Sequence, residues 1–332
     1  MPGEVKKTRN QASRFGIGEW YGALFPALSK LERQELAVRH FKSGKIDYPF
    51  KPEINGQPQT CHKAGGVCSL KLYASLEGGA ATPVQGDGGS LRTLCPSRFR
   101  EGGVVERWIA IELLGTENPL AVGEVGFLRS ESVGQLADEA DPPADEPENV
   151  GRIDSVLMHP DLDRFQWCAV ELQAVYFSGS EMGSELTLAA NWEGEEPPFP
   201  AKNRRPDYRS SGPKRLMPQL QIKVPTLRRW GKKMAVVVDE AFFSALGSMD
   251  DVKEPSNADI GWFVVRYVEL AKESHIEPAF VRFTTLERAV EGLTAGRPVS
   301  LPEFEERIRL KLKERQRKQQ QLLRKQATQG LG

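Results

Sequence analysis

Two kinds of apolar run alternate along the middle of the chain. VVERWIAIELLG from Val104 has helical spacing, AVGEVGFL from Ala121 suits a short strand, and RIDSVLM from Arg152 and WCAVELQAVYF from Trp167 predict two more strands. The last of these is apolar on both faces except at Glu171 and Gln173, the pattern of a central strand covered on both sides. Farther on, KKMAVVVD predicts another buried strand, EAFFSALGSM a helix and IGWFVVRYVEL a last strand. Strands interleaved with helices imply an α/β core, a mixed sheet flanked by helices, over residues 104–300.

Outside that core the pattern weakens. Residues 1–13 are expected to be disordered. In 14–41, FGIGEWYGALFPALSKLERQELAVRHF reads as helical, with Ser29 capping a second helix and Glu32 three residues on as its capping-box partner. Residues 42–103 are rich in Gly, Pro and Lys, carry three of the cysteines and show little periodicity, which predicts a loop-rich lobe of the kind a metal often staples. Residues 131–149 (ESVGQLADEADPPADEPEN) are acidic, proline-rich and nearly devoid of large apolar residues, so a disordered insertion is expected there. Residues 301–332 predict a basic C-terminal helix and tail, with an apolar stripe at Phe304, Ile308 and Leu312 and a Gln-rich end.

Composition changes this picture in three places. The chain has 332 residues with 45 Lys plus Arg against 45 Asp plus Glu, so net charge says nothing and its distribution matters. Within 202–233, Lys202, Arg204, Arg205, Arg209, Lys214, Arg215, Lys223, Arg228, Arg229, Lys232 and Lys233 stand against Asp207 alone, interleaved with Tyr208 and Trp230. Such a run suits DNA phosphates, and Gln219 and Gln221 suit base edges; a solvated basic loop is the alternative. No stretch approaches the roughly 20 apolar residues of a membrane span, which points to a soluble cytoplasmic protein with no membrane partner. Four cysteines are too few for a disulfide scaffold in a chain of this length. Cys61, Cys68 and Cys95 suggest a structural metal site in the lobe, with His62 able to complete it, although their spacing fits no strict zinc pattern. Cys168 reads as a core thiol, and His40, His159 and His275 as ordinary residues.

The chemistry concentrates at Asp154 and Glu171-Leu172-Gln173. Alternate residues of a strand share a face, so Glu171 and Gln173 project together. A carboxylate alone in apolar surroundings costs several kcal/mol or takes up a proton. A second acid on a neighbouring strand, Asp154, makes the arrangement sensible if Mg²⁺ sits between them, since that ion takes one or two carboxylates and fills the rest of its shell with water and phosphate oxygens. This is the layout of PD-(D/E)xK nucleases with Gln in the last position. An amide accepts no proton near neutral pH, so Gln173 would orient a water rather than act as a base.

Several segments in a common order resemble the NotI-type restriction endonucleases. They are IGEWYG at 17–22, GVC at Gly66–Cys68, CPxR at Cys95–Arg98, the strand at Ile153–Val156, the ExQ strand at Glu171–Gln173, Lys214-Arg215 with Gln219-Leu220 and Lys223, and the stretch Asn257–Val265. The resemblance implies a DNA endonuclease of restriction or other defence type, with Asp154, Glu171 and Gln173 in the active site and Cys61, Cys68 and Cys95 as ligands of a structural iron, or a zinc. It departs from the family pattern at Tyr48, which stands where the first metal cysteine is expected, and in the spacing before Glu171, which leaves Glu148 as an alternative to Asp154. Glu19 and Glu124 are candidate outer carboxylates. Cutting both strands symmetrically implies a homodimer. The rival from another class is a non-catalytic DNA-binding or complex-forming subunit with a nuclease-like fold, meeting a partner protein through the C-terminal helix.

Overall fold

Five of the six residues of Met234–Asp239 are apolar, three of them consecutive valines, and all six are buried. A strand with no polar face must be covered on both sides, and this one lies in the middle of a large sheet. The structure is a computed structural model and describes residues 12–43, 46–50, 57–127, 151–179, 182–294 and 299–329. Its elements run β1 (Ser13–Trp20), β2 (Ala23–Leu24), α1 (Lys30–Ser43), β3 (Val67–Ser75), β4 (Ala81–Pro83), β5 (Arg92–Thr93), α2 (Val104–Leu114), β6 (Leu120–Gly126) and β7 (Arg152–Met158). They continue with β8 (Trp167–Leu172), β9 (Phe177–Ser178), α3 (Gly183–Asn191), β10 (Arg205–Pro206), α4 (Tyr208–Ser211), α5 (Met217–Arg229), β11 (Met234–Asp239) and α6 (Glu240–Ser244). The last are β12 (Ile260–Leu270), β13 (Glu273–Thr284), α7 (Leu286–Thr294) and α8 (Leu301–Gln329).

The main sheet has the order β4-β3-β1-β2-β13-β12-β11-β8-β7-β6, with β5 beside β3. Strands β8, β11 and β12 are parallel and the other pairings antiparallel, so the sheet is mixed and helices flank it, as expected from the alternating pattern. Alternation along β11 sends Val236 and Val238 into the core that contains Leu216, Leu220, Val224 and Leu227 of the α5 region. Ala235 and Val237 enter the opposite core with Val105 and Ile109 of α2.

Three expectations need correction. The 14–41 stretch is not helical throughout: Ser13–Trp20 forms β1, antiparallel to β3, and the helix starts only at Lys30. Gly18 marks a close approach of β1 to β3: a Cβ there would meet the Leu70 backbone carbon at 2.9 Å as well as the Leu91 side chain at 2.5 Å. The predicted cap is present: the Ser29 backbone N–H donates to Glu32 Oε2 at 2.9 Å and the Glu32 N–H to Ser29 Oγ at 3.4 Å. The 42–103 stretch is not a separate loop-rich lobe, since β3 is an inner strand of the main sheet. Its buried Lys71, paired with Glu269 at 2.5 Å, breaks the apolar run that would have announced a strand. Nor is β12 the last strand, because β13 pairs with it along its length; Pro278 sits in β13 where the register shifts, a bulge position that tolerates a residue without an N–H.

Residues 1–11 and the acidic stretch 131–149 lie outside the described residues. The chain divides into a unit through Thr294 and a second from Ala295, which holds α8. In α8, Phe304, Ile308 and Leu312 are exposed. Among the described residues no helix is long and apolar enough to cross a membrane.

Candidate active site

Strands β7 and β8 pair with Ser155 opposite Val170, so one step onward Asp154 faces Glu171. The Leu172 N–H donates to Asp154 Oδ2 at 2.9 Å, which ties the aspartate to the end of β8. Gln173 lies one residue past the strand, yet its N–H still donates to Val237 O at 3.0 Å, and its side-chain Nε2 donates to Ala174 O at 2.6 Å. Asp154, Glu171 and Gln173 thus meet where β8 ends and line a common cavity of about 590 Å³, together with Arg100, Glu124, Arg215 and Gln219.

Glu171 is 3 % exposed. Burial pushes its carboxyl up to about 7, the negative charge of Asp154 pushes the same way, and Lys223 pulls back. Lys223 is 1 % exposed and reaches over from α5, its Nζ donating to Glu171 Oε2 and to Gln219 Oε1, both at 2.7 Å. Each of the two facing carboxylates is therefore anchored by a single oxygen, Oδ2 on the aspartate and Oε2 on the glutamate. Among the described residues Asp154 Oδ1 and Glu171 Oε1 accept no hydrogen bond. Two carboxylates with such an oxygen each, beside a cavity, form an all-oxygen donor set that fits a hard divalent cation such as Mg²⁺.

The cationic stretch does not act as one surface. Arg215 enters the cavity with its guanidinium 4.4 Å over the Tyr176 ring. Arg204 is buried in an ion pair with Glu185, Arg228 binds Asp259 at 2.8 Å, and Lys233 donates to Ala258 O at 2.6 Å; these three tie the fold together where they stand. Lys232 lies 5.2 Å over the Trp167 ring. Lys202, Arg205, Arg209, Lys214, Arg229 and Gln221 are exposed.

Of the outer carboxylates, Glu124 lines the cavity from β6 and meets Arg152 at 3.3 Å, whereas Glu19 is fully buried on Arg98 at 2.9 Å, away from it. Glu148 lies outside the described residues. Arg100 is a cavity residue that the sequence did not mark: it donates to Asp154 O at 3.3 Å and approaches Glu106 at 3.7 Å. Its only signal was its place just after the CPxR segment.

Cys61, Cys68 and Cys95 do come together, in a small buried cluster with Tyr48 and Phe50. The arrangement does not fit a metal. The Tyr48 hydroxyl lies 3.4 Å from Cys95 Sγ, Cys68 Sγ donates to Gly66 O at 3.6 Å, and His62 is exposed. Among the described residues no group of three or more His, Cys, Asp and Glu side chains is placed to hold a metal ion. Cys168 is buried among Val170, Val237 and their neighbours, and burial pushes its thiol up to about 12, as suits a core residue.

No curated protein matches the chain. One family model does, that of restriction endonuclease NotI, over residues 31–277. The matched span holds all of α1 but its first residue, the cysteine cluster, β7, β8, α5, the whole of β12 and the start of β13.

Proposed function

The chain belongs to the NotI restriction endonuclease family, and from that premise we propose that it is a Mg²⁺-dependent endonuclease of the PD-(D/E)xK type, in an ExQ form, that hydrolyses phosphodiester bonds of duplex DNA in the cytoplasm as part of a restriction or other defence system. The observation that carries this reading is the facing pair Asp154 and Glu171, whose charges oppose one another and which each keep one oxygen that accepts no hydrogen bond among the described residues. Bound Mg²⁺ would polarise the scissile phosphate and lower the pKa of an attacking water. Asp154 and Glu171 would hold the ion. Gln173 orients the water through its amide, since it cannot take the proton. Arg215 and Arg100, at the cavity wall, would bind phosphate oxygens of the substrate.

The exposed Lys202, Arg205, Arg209, Lys214 and Arg229 extend the phosphate-binding surface. Two copies related by a twofold axis would address the two strands alike. The exposed stripe of Phe304, Ile308 and Leu312 on α8 supports contact with a partner protein. Incubation with varied plasmid and phage DNA, in Mg²⁺ and in EDTA, tests the proposal. Discrete fragments in Mg²⁺ alone, absent with Glu171→Ala although that variant still binds DNA, are expected. Equal cleavage by Glu171→Ala removes this site, and binding without cleavage by the parent on every DNA leaves the non-catalytic subunit.

A further inference from the structure

With Gln173 in place β8 brings no positive charge to the site, and Arg100 and Arg215, at the cavity wall, form no ion pair with the carboxylate of Asp154 or Glu171. Two carboxylates and a phosphodiester bring three negative charges to one cavity, a divalent cation offsets two, and attack on phosphorus spreads further negative charge over its oxygens. An amide at 173 adds none of the missing positive charge. The nearest buried cation is Lys223, which comes from a helix rather than from the strand.

We propose that Lys223 is a positioning residue of the active site: its ammonium grips Glu171 by Oε2 and so aims Oε1 at the cation site, supplying from α5 the positive charge that β8 lacks. The inference rests on the endonuclease reading above. The lysine binds Glu171 Oε2 at 2.7 Å and is itself held by Gln219 Oε1 at 2.7 Å, one helical turn before it. At 1 % exposed it is out of reach of substrate, so it acts through Glu171 and not on the DNA.

The path of the chain into α5 serves this placement. Gly212–Leu216 forms a single turn of π-helix that carries Pro213, directly before α5. One extra residue in a turn rotates the helix beyond it by about 100°, and such turns recur at functional sites. Below it Leu220, Val224 and Leu227 face the core, and Gln219 and Lys223 fall on the edge that meets the end of β8. A merely structural ion pair at this spot is a poor device, because well-packed apolar side chains replace buried pairs with little loss of stability. The two roles therefore predict different behaviour for a methionine of similar length.

The full chain, freed of metal, is compared with Lys223→Met. Thermal unfolding reports the fold, calorimetry with Ca²⁺ alone reports the cation site at pH 8.5, and cleavage in saturating Mg²⁺ gives kcat and KM. With Glu171 no longer aimed, Ca²⁺ affinity should weaken about tenfold although a positive charge has been removed. The kcat should fall about 100-fold, the cost of a misplacement near 1 Å, with KM within threefold. Cleavage within threefold of the parent, or Ca²⁺ binding as tight or tighter, overturns the proposal. If Lys223→Met does not fold, Lys223→Arg carries the comparison: retention of kcat within tenfold supports the role and its loss overturns it. Glu171→Ala run alongside separates the two levels, for activity there removes the endonuclease site itself.

Discussion

Glu171 should make this protein less stable as pH rises through the weakly acidic range, and substituting Gln should remove that dependence. The folded carboxyl titrates near 7 and the ordinary value is 4.5. Below pH 4.5 the folded and unfolded chains both hold the proton. Above it the unfolded chain releases the proton first, so stability falls with rising pH until the folded carboxyl ionises near 7, and then levels off. Each pKa unit is worth about 1.4 kcal/mol, so the whole loss is about 3 kcal/mol, of which roughly 2 to 3 kcal/mol falls between pH 5 and pH 8. Glu171→Gln keeps an oxygen for Lys223 and has no proton to lose. Urea unfolding of parent and variant at pH 5, 6, 7 and 8, in EDTA, should show the difference in unfolding free energy moving in favour of Gln by that amount. A divalent cation needs the ionised carboxylate, so Ca²⁺ affinity of the parent should also drop about tenfold per pH unit below 7. A difference between the two proteins that stays constant across the range, within about 0.5 kcal/mol, would refute the claim that burial beside Asp154 governs this group.

Arg98→Met should cost about 3–5 kcal/mol in unfolding free energy, because it strands the fully buried Glu19 without its partner; a loss below about 1 kcal/mol would mean the pair is dispensable. Neutralising Arg209, Lys214 and Arg229 together should flatten the dependence of log affinity for DNA on log salt by about 0.9 for each phosphate no longer bound, and an unchanged slope assigns them to plain solvated surface. Elemental analysis of protein purified without added metal should find no stoichiometric iron or zinc, given the Tyr48–Cys95 hydrogen bond, while Tyr48→Cys supplies a fourth thiolate and should take up one ion with a rise in Tm. Metal in the parent that disappears in Cys68→Ser would contradict that reading of the cluster.

Each element was legible in the sequence to the extent that it buries its side chains plainly. β8, β11 and α2 stood out because their apolar runs are too short to cross a membrane and long enough to mark a buried element. β1 and β3 were obscured by their own packing devices: a glycine, Gly18, that admits Leu91, and a lysine inside the sheet that finds Glu269 only across 198 residues of sequence. β13 was hidden by Pro278, which reads as a breaker until its bulge is seen. Asp154 and Glu171 were conspicuous as acids in apolar strands, and the fold sets them face to face. Lys223 was visible as one cation among eleven in its stretch and as the end of the segment that starts at Lys214-Arg215, and neither pattern says which members point outward. Arg100 carried no pattern at all; its place beside Asp154 is made by the turn between Cys95 and α2.

The division of that basic stretch also bears on why this end of the sheet is suited to chemistry. Arg204, Arg228 and Lys233 are satisfied by Glu185, Asp259 and a backbone carbonyl, so their charges are consumed in holding segments together. At the end of β8 the same kind of interaction is left half finished. One oxygen of Asp154 is fixed by a backbone N–H and one oxygen of Glu171 by an ammonium, so both side chains have already given up their rotamer freedom before any ion arrives. The entropy of ordering them is borne by the folded protein rather than by cation binding, which leaves the attraction between the ion and two oxygens nearly undiminished. The same fixation keeps two like charges close together, and the raised Glu171 is its cost. An apolar pair would relieve that conflict; two like charges kept beside a 590 Å³ cavity are the arrangement that the proposed divalent-cation site would use.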